Sequence, residues 1–155
     1  TSADVFSPNA PMTRGMFATV LSRLDGADLS GYGASRFGDV DIDAWFGPSV
    51  EWAAASGIVS GIGDGEFAPD AQITREQMAV MLYQYIRYKG YALPAADVDA
   101  FADESSSGAW ATEAIKAIQA SGIVSGKPGN LFDPQGLATR AEVATIFERL
   151  LALLP

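Results

Sequence analysis

Phe67-Ala68-Pro69-Asp70-Ala71-Gln72-Ile73-Thr74-Arg75-Glu76-Gln77 decides how this 155-residue chain folds, because the stretch occurs three times. Its other copies are Phe6-Ser7-Pro8-Asn9-Ala10-Pro11-Met12-Thr13-Arg14-Gly15-Met16 and Phe132-Asp133-Pro134-Gln135-Gly136-Leu137-Ala138-Thr139-Arg140-Ala141-Glu142. The Thr-Arg pairs begin at 13, 74 and 139, so the period is 74 − 13 = 61 and then 139 − 74 = 65 residues. Each copy is a Pro turn leading to a Thr and an apolar stripe. The Thr reads as a helix N-cap whose hydroxyl accepts from a backbone N–H of the first turn. Three residues on, Gln77 and Glu142 complete a capping box by reaching back to the cap's own N–H, whereas Met16 cannot.

The helices behind the caps correspond position by position. Met78, Met81, Leu82, Tyr85 and Ile86 recur as Val143, Ile146, Phe147, Leu150 and Leu151, with Phe17, Val20, Leu21 and Leu24 in the first copy. The spacing puts them on one helical face. Three such helices, the first over residues 13–24, are expected to pack about a pseudo-threefold axis in a mostly α-helical domain.

Working outward, Asp25 to Arg36 reads as a glycine-bearing loop. A helix is expected over residues 45–56, with Pro48 tolerated in its first turn, and Gly57 sits where a left-handed C-cap belongs. Ile58-Val59-Ser60-Gly61-Ile62-Gly63-Asp64-Gly65 is a glycine-rich turn or short hairpin. The third unit repeats this order: Phe101-Ala102-Asp103 matches Phe37-Gly38-Asp39, Trp110 matches Trp45, and Gly122-Ile-Val-Ser125-Gly126 is identical to Gly57-Ile-Val-Ser60-Gly61. The whole chain, 1–155, is read as one domain: 1–26 the second half of a first repeat, 37–90 the second repeat, 101–155 the third. Carrying the first offset back from Gly57 falls before Thr1, so the first unit's Phe-x-Asp segment, Trp helix and Gly turn are not in this sequence.

Composition removes several classes of function. With no histidine and no cysteine, a His-dependent triad, the usual zinc site and disulfides are all excluded. A formal net charge of −9 argues against a nucleic acid as partner. No apolar run approaches the ~20 residues of a membrane span, and no leader begins at Thr1, so any secretion signal lies outside this stretch or does not exist. Asp39-Val-Asp41-Ile-Asp43 invites a calcium-loop reading, but Ala44 and Val50 stand where that loop needs Gly and an acid. The glycine turn lacks the Gly-Lys-Ser/Thr ending of a phosphate loop. Neither metal nor other cofactor is expected, and the equivalence of Asp39 and Asp103 argues against two differently tuned catalytic carboxylates.

The ordered set Phe-x-Asp, Trp, Gly-Ile-x-x-Gly, Asp-Gly-x-Phe-x-Pro and Ile-Thr-Arg-Glu resembles S-layer homology repeats, over nearly the whole chain and about two and a half units. The resemblance implies a pseudo-threefold helical spindle of capped central helices with short outer helices and Gly/Pro turns, located outside the cell at the cell wall or surface layer of a Gram-positive-type envelope. It also implies a non-catalytic anchoring module that binds anionic, often pyruvylated, secondary cell-wall polysaccharide in grooves between repeats. Site residues implied by match are Arg14, Arg75, Arg140, Asp39, Asp103, Gly61 and Gly126. The family arrangement implies that only the junction of units two and three is complete, with Asp39, Gly61 and Arg75 facing Ser125 and Gly126. Arg14 and Arg140 are then expected to matter little unless a second chain or an upstream fragment completes the other grooves.

The residues also carry alternatives of their own. An Arg just inside a helix N-terminus stands at the end where the dipole disfavours a cation by ~0.3–1 kcal/mol, so each needs an anionic partner. That partner is either a carboxylate ligand, held beside free helix N–H groups, or an internal acid such as Asp39 or Asp103 that ties units together. Trp45 and Trp110 either stack on a sugar ring or anchor the core under the short helices, while Trp52 reads as core. Ser60 and Ser125 suit a sugar hydroxyl or a tight turn. A helical array for protein–protein interaction or surface-layer self-assembly, without glycan, is the competing function.

Overall fold

A computed structural model describes residues 8–154; Phe6, the first residue of the first copy, lies outside them. The architecture is helical: α1 (Arg14–Asp25), α2 (Gly47–Ala55), α3 (Arg75–Lys89), α4 (Thr112–Ala120) and α5 (Arg140–Leu153), with a 3₁₀ turn at Glu104–Ser106. Among the described residues β structure is confined to isolated bridges. Thr13, Thr74 and Thr139 cap α1, α3 and α5, each hydroxyl accepting from the N–H three residues on. Only α3 carries the reciprocal half of the capping box, Gln77 accepting from the Thr74 N–H at 3.1 Å. The box expected at Glu142 does not form, because its carboxylate turns to Arg75 of the preceding repeat.

The three caps are sewn into a closed ring. Met12 N–H donates to the Ala138 carbonyl, Ala138 N–H to Ile73, and Ile73 N–H back to Met12, at 2.8–3.1 Å. A second set joins each helix N-terminus to the neighbouring Pro turn. Arg14 and Gly15 donate to Ala71 and Pro69, Arg75 and Glu76 to Gly136 and Pro134, and Arg140 and Ala141 to Ala10 and Pro8. These N–H groups have no intrahelical acceptor, so pairing between repeats satisfies them and generates the pseudo-threefold. It also consumes donors that the sequence reading left open to a ligand.

Below the ring, the stripes of α1, α3 and α5 form one core. Phe17, Leu21, Met78, Leu82, Tyr85, Val143, Ile146 and Leu150 are buried, and Phe17 stacks on Phe147 at 5.8 Å. Val20 and Leu24 are half-buried. Leu151, expected in the stripe, is instead 51% exposed. The reason lies in how the short helices are shared: α2 of repeat two packs on α1 of repeat one, and α4 of repeat three packs on α3 of repeat two. The buried Ser22–Ser49 hydrogen bond and the Tyr83–Glu113 bond mark these two contacts. On α5 the corresponding side faces outward, with Ala144, Thr145 and Glu148 exposed.

Both short helices start later than expected. Pro48 does sit in the first turn of α2, but Trp45 and Trp110 precede their helices and are 63% and 59% exposed, so neither anchors the core. Trp52 does, at 3% exposure. Gly57 takes a left-handed φ of 75° just past the end of α2, and the glycine turn is a minimal hairpin, Ile62 donating to Glu66 and Glu66 to Gly63.

Candidate functional site

The aspartates of the two Phe-x-Asp segments build a turn and through it position an arginine. Asp39 accepts from the N–H groups of Phe67 and Ala68 at 2.8 and 2.7 Å, and Asp103 from Phe132 and Asp133 at 2.9 and 2.8 Å. Ala68 and Asp133 are both held at φ 59°, a left-handed conformation that costs a non-glycine residue energy and that two carboxylate hydrogen bonds offset. The Phe so fixed then serves an arginine from the repeat before it. Arg14 Nε donates to the Phe67 carbonyl at 2.8 Å, and its guanidinium lies over the Phe67 ring at 4.6 Å. Arg75 does the same at Phe132, with 2.6 Å and 5.0 Å. Neither Asp forms a direct ion pair with an Arg; each orients one through the Phe it holds. Burial opposes ionisation of Asp39, but the Phe67 and Ala68 amides and the field of Arg14 hold its carboxyl below its ordinary value.

The grouping therefore differs from the one the resemblance implied. Arg14, Asp39 and the 57–61 turn belong to one site; Arg75, Asp103 and the 122–126 turn belong to another. Asp39 and Gly61 do not meet Arg75, and the junction of repeats one and two is furnished after all. Arg140 follows the same plan, but its Nε is buried without a partner among the described residues, and the counterpart of Phe67 and Phe132 for it is Phe6.

Two clefts open on these arginines. The first, about 650 Å³, is lined by Arg14, the turn from Gly57 to Ile62, Gln77, Val80, Met81 and Gln84 of α3, and Trp110 from the third repeat. The second, about 320 Å³, is lined by Arg75, Val124 to Lys127, and Ala141, Glu142, Thr145, Ile146 and Arg149 around α5. Trp45 lines neither; it packs edge-on against Phe46 at 5.1 Å. Ser60 and Ser125 are exposed on their turns, Ser125 Oγ 3.4 Å from an Arg149 nitrogen. Gly61 and Gly126 are demanded by packing: at φ 87° and 83°, a Cβ on either would lie within 2.9 Å of a Phe ring and of a backbone carbonyl. No sequence signal pointed to Gln77, Gln84 or Arg149, because their place in a cleft depends on which repeat supplies the opposite wall.

The arginines differ in charge balance. Arg75 forms an ion pair with Glu142. Arg14 is 4% exposed, and among the described residues its terminal nitrogens have no hydrogen-bond partner. Burial pulls its pKa down to about 10, with Asp39 working the other way. A buried cation with no ion pair among the described residues, at the wall of an open cleft, has the chemistry to take an anionic group.

A profile of the S-layer homology domain matches residues 36–79 and 100–144. The chain is 35% identical over 148 residues to an amylopullulanase of Thermoanaerobacterium thermosulfurigenes, covering 94% of this chain and 8% of that protein. It is 29% identical over 150 residues to a cellulosome-anchoring protein of Acetivibrio thermocellus, covering 95% and 33%. An S-layer protein of Bacillus thuringiensis subsp. finitimus is 35% identical over 138 residues, covering 87% and 15%. The chain thus spans a third or less of each of these relatives. What an amylopullulanase and an S-layer protein share with it is an attached module rather than a catalytic domain. The relatives' names agree with the cell-surface location expected from the sequence. Repeat pattern, helical ring and profile together make this chain a member of the S-layer homology domain family.

Proposed function

We propose that this chain is a non-catalytic anchoring module that holds a larger protein on the cell surface by binding an anionic cell-wall polysaccharide, with the first cleft as the seat for an acid-bearing sugar. One observation carries the reading: the buried guanidinium of Arg14, its terminal nitrogens unpartnered among the described residues, lines a cleft of saccharide size. Around it stand a turn of glycines whose backbone a sugar can approach closely, the amides of Gln77 and Gln84, and the indole of Trp110, an apolar face for a pyranose ring. A pyruvate ketal, a carboxylate on a sugar ring, has the chemistry this set would take. Pull-down with purified wall sacculi, before and after chemical removal of the polysaccharide, tests the reading. Binding should disappear with the polymer and with Arg14→Ala, and full retention on bare peptidoglycan would count against it.

The outward side of α5 supports one further element of this reading. Ala144, Thr145 and Glu148 hold the places that Ala18, Thr19 and Ser22 hold beneath α2, so a short helix of the same pattern fits there, from an upstream half-unit or a second chain. Sedimentation tests the second chain: a copy of this chain could lend only α2 or α4, which already cover α1 and α3, so a monomer is expected and a dimer would mean that these helices exchange.

A further inference from the structure

The two clefts share one framework and differ at several wall positions, among which one holds a side chain that pairs with the arginine. In the first cleft the third residue of the capped helix is Gln77; in the second it is Glu142; α1, whose cleft would belong to Arg140, has Met16. Gln77 uses its side-chain oxygen to accept from Thr74 N–H, and among the described residues its Nε2 donates to nothing. Glu142 leaves the equivalent bond unmade and pairs with Arg75, whose Nε already serves Phe132.

The geometry points to this position as the selector of ligand acidity: Glu142 is a built-in carboxylate that occupies the anion position of the second cleft, while Gln77 leaves the same position on Arg14 open and adds an amide donor. The inference rests on the anion-binding reading of the first cleft and extends it by naming what makes the clefts unequal. A carboxylate ligand entering the second cleft would have to displace Glu142 from a side chain only 5% exposed and bring a second negative charge beside it. Lys127 and Arg149 also stand on that wall, so what Glu142 closes to a carboxylate is the place on Arg75 itself. The residue at this one position so decides whether the arginine of a cleft is open to an acidic residue of a polymer.

The test uses acetate as the smallest carboxylate and the arginine Nε–H resonances as reporters. In the unaltered chain acetate should move the Arg14 signal and leave that of Arg75 in place; in Glu142→Gln both should move. In calorimetry with a wall oligosaccharide carrying a pyruvate ketal, the same variant should go from one site to two. The reverse variant, Gln77→Glu, should weaken binding in the first cleft tenfold or more, and it serves as the readout should Glu142→Gln not fold. An Arg75 signal that responds in the unaltered chain, or that stays still in Glu142→Gln, overturns the inference. If Arg75 responds in Glu142→Gln while Arg14 never does, the selector stands and the assignment of the first cleft falls.

Discussion

At the scale of single residues, Asp39, Phe67 and Arg14 behave as one device spread over two repeats. Asp39 fixes the amides of Phe67 and Ala68, Phe67 fixes Arg14 through its carbonyl and its ring, and Arg14 is left with its fork facing the cleft. Removing a charge-assisted partner of a carboxylate costs ~1.5–3 kcal/mol, or roughly tenfold or more in affinity. Arg14→Ala should therefore lose at least that in oligosaccharide calorimetry. Arg75→Ala should change acid-ligand binding little and show itself in thermal unfolding instead, since Glu142 would lose its partner. Asp39 supplies a share of the pH dependence. Its folded-state pKa lies below the ordinary 3.8, so its contribution is complete above that value and is lost as pH falls through the depressed one. Replacing it by Asn should flatten the fall of Tm at the acid end of the range, and an unchanged slope would mean that the carboxylate does not hold the turn.

The elements show what local pattern can and cannot specify. Thr caps, apolar stripes and glycine turns are short-range features written within one turn of helix or hairpin, and they were legible for α1, α3, α5 and both turns. Thr74→Ala should cost about 1 kcal/mol, and Thr139→Ala about as much, because each loses one hydroxyl acceptor while the Thr74 backbone N–H keeps its bond to Gln77; chemical denaturation of the two variants checks the equality. Gly61→Ala should destabilise by more than the ~1–2 kcal/mol of a left-handed φ alone, since its methyl group also meets the Phe37 ring and the Glu66 carbonyl. What stayed hidden was the partner of each element. The sequence places Arg75 eleven residues after Asp64 and close to its own Gly turn, but the fold gives it Phe132 and Glu142, more than fifty residues on. Such a shift by one repeat leaves every local pattern unchanged, so no pattern reports it.

For the whole molecule, the closed ring decides how the repeats cooperate. In an open array each unit touches only its neighbours and can fray from either end. Here residues 8–12 are bonded to 138–141, so first and last units are neighbours too. Thermal unfolding should be a single transition whose calorimetric and van't Hoff enthalpies agree, and the Met12, Ile73 and Ala138 amides should be among the last to exchange.

That same stitch bears on what happens when the molecule is pulled. Tension applied between Pro8 and Leu154 runs along α5 to the stitch, where the N–H groups of Ala141, Arg140 and Met12 donate to Pro8, Ala10 and Ala138. The pairing is antiparallel and both pulls enter it beside Pro8 and Ala141, so the bonds take the load one after another, which is the arrangement of a zip and not of a buckle. A surface protein dragged by flow would thus open this fastener tooth by tooth, with α1 to α4 slack behind it until the last bond parts.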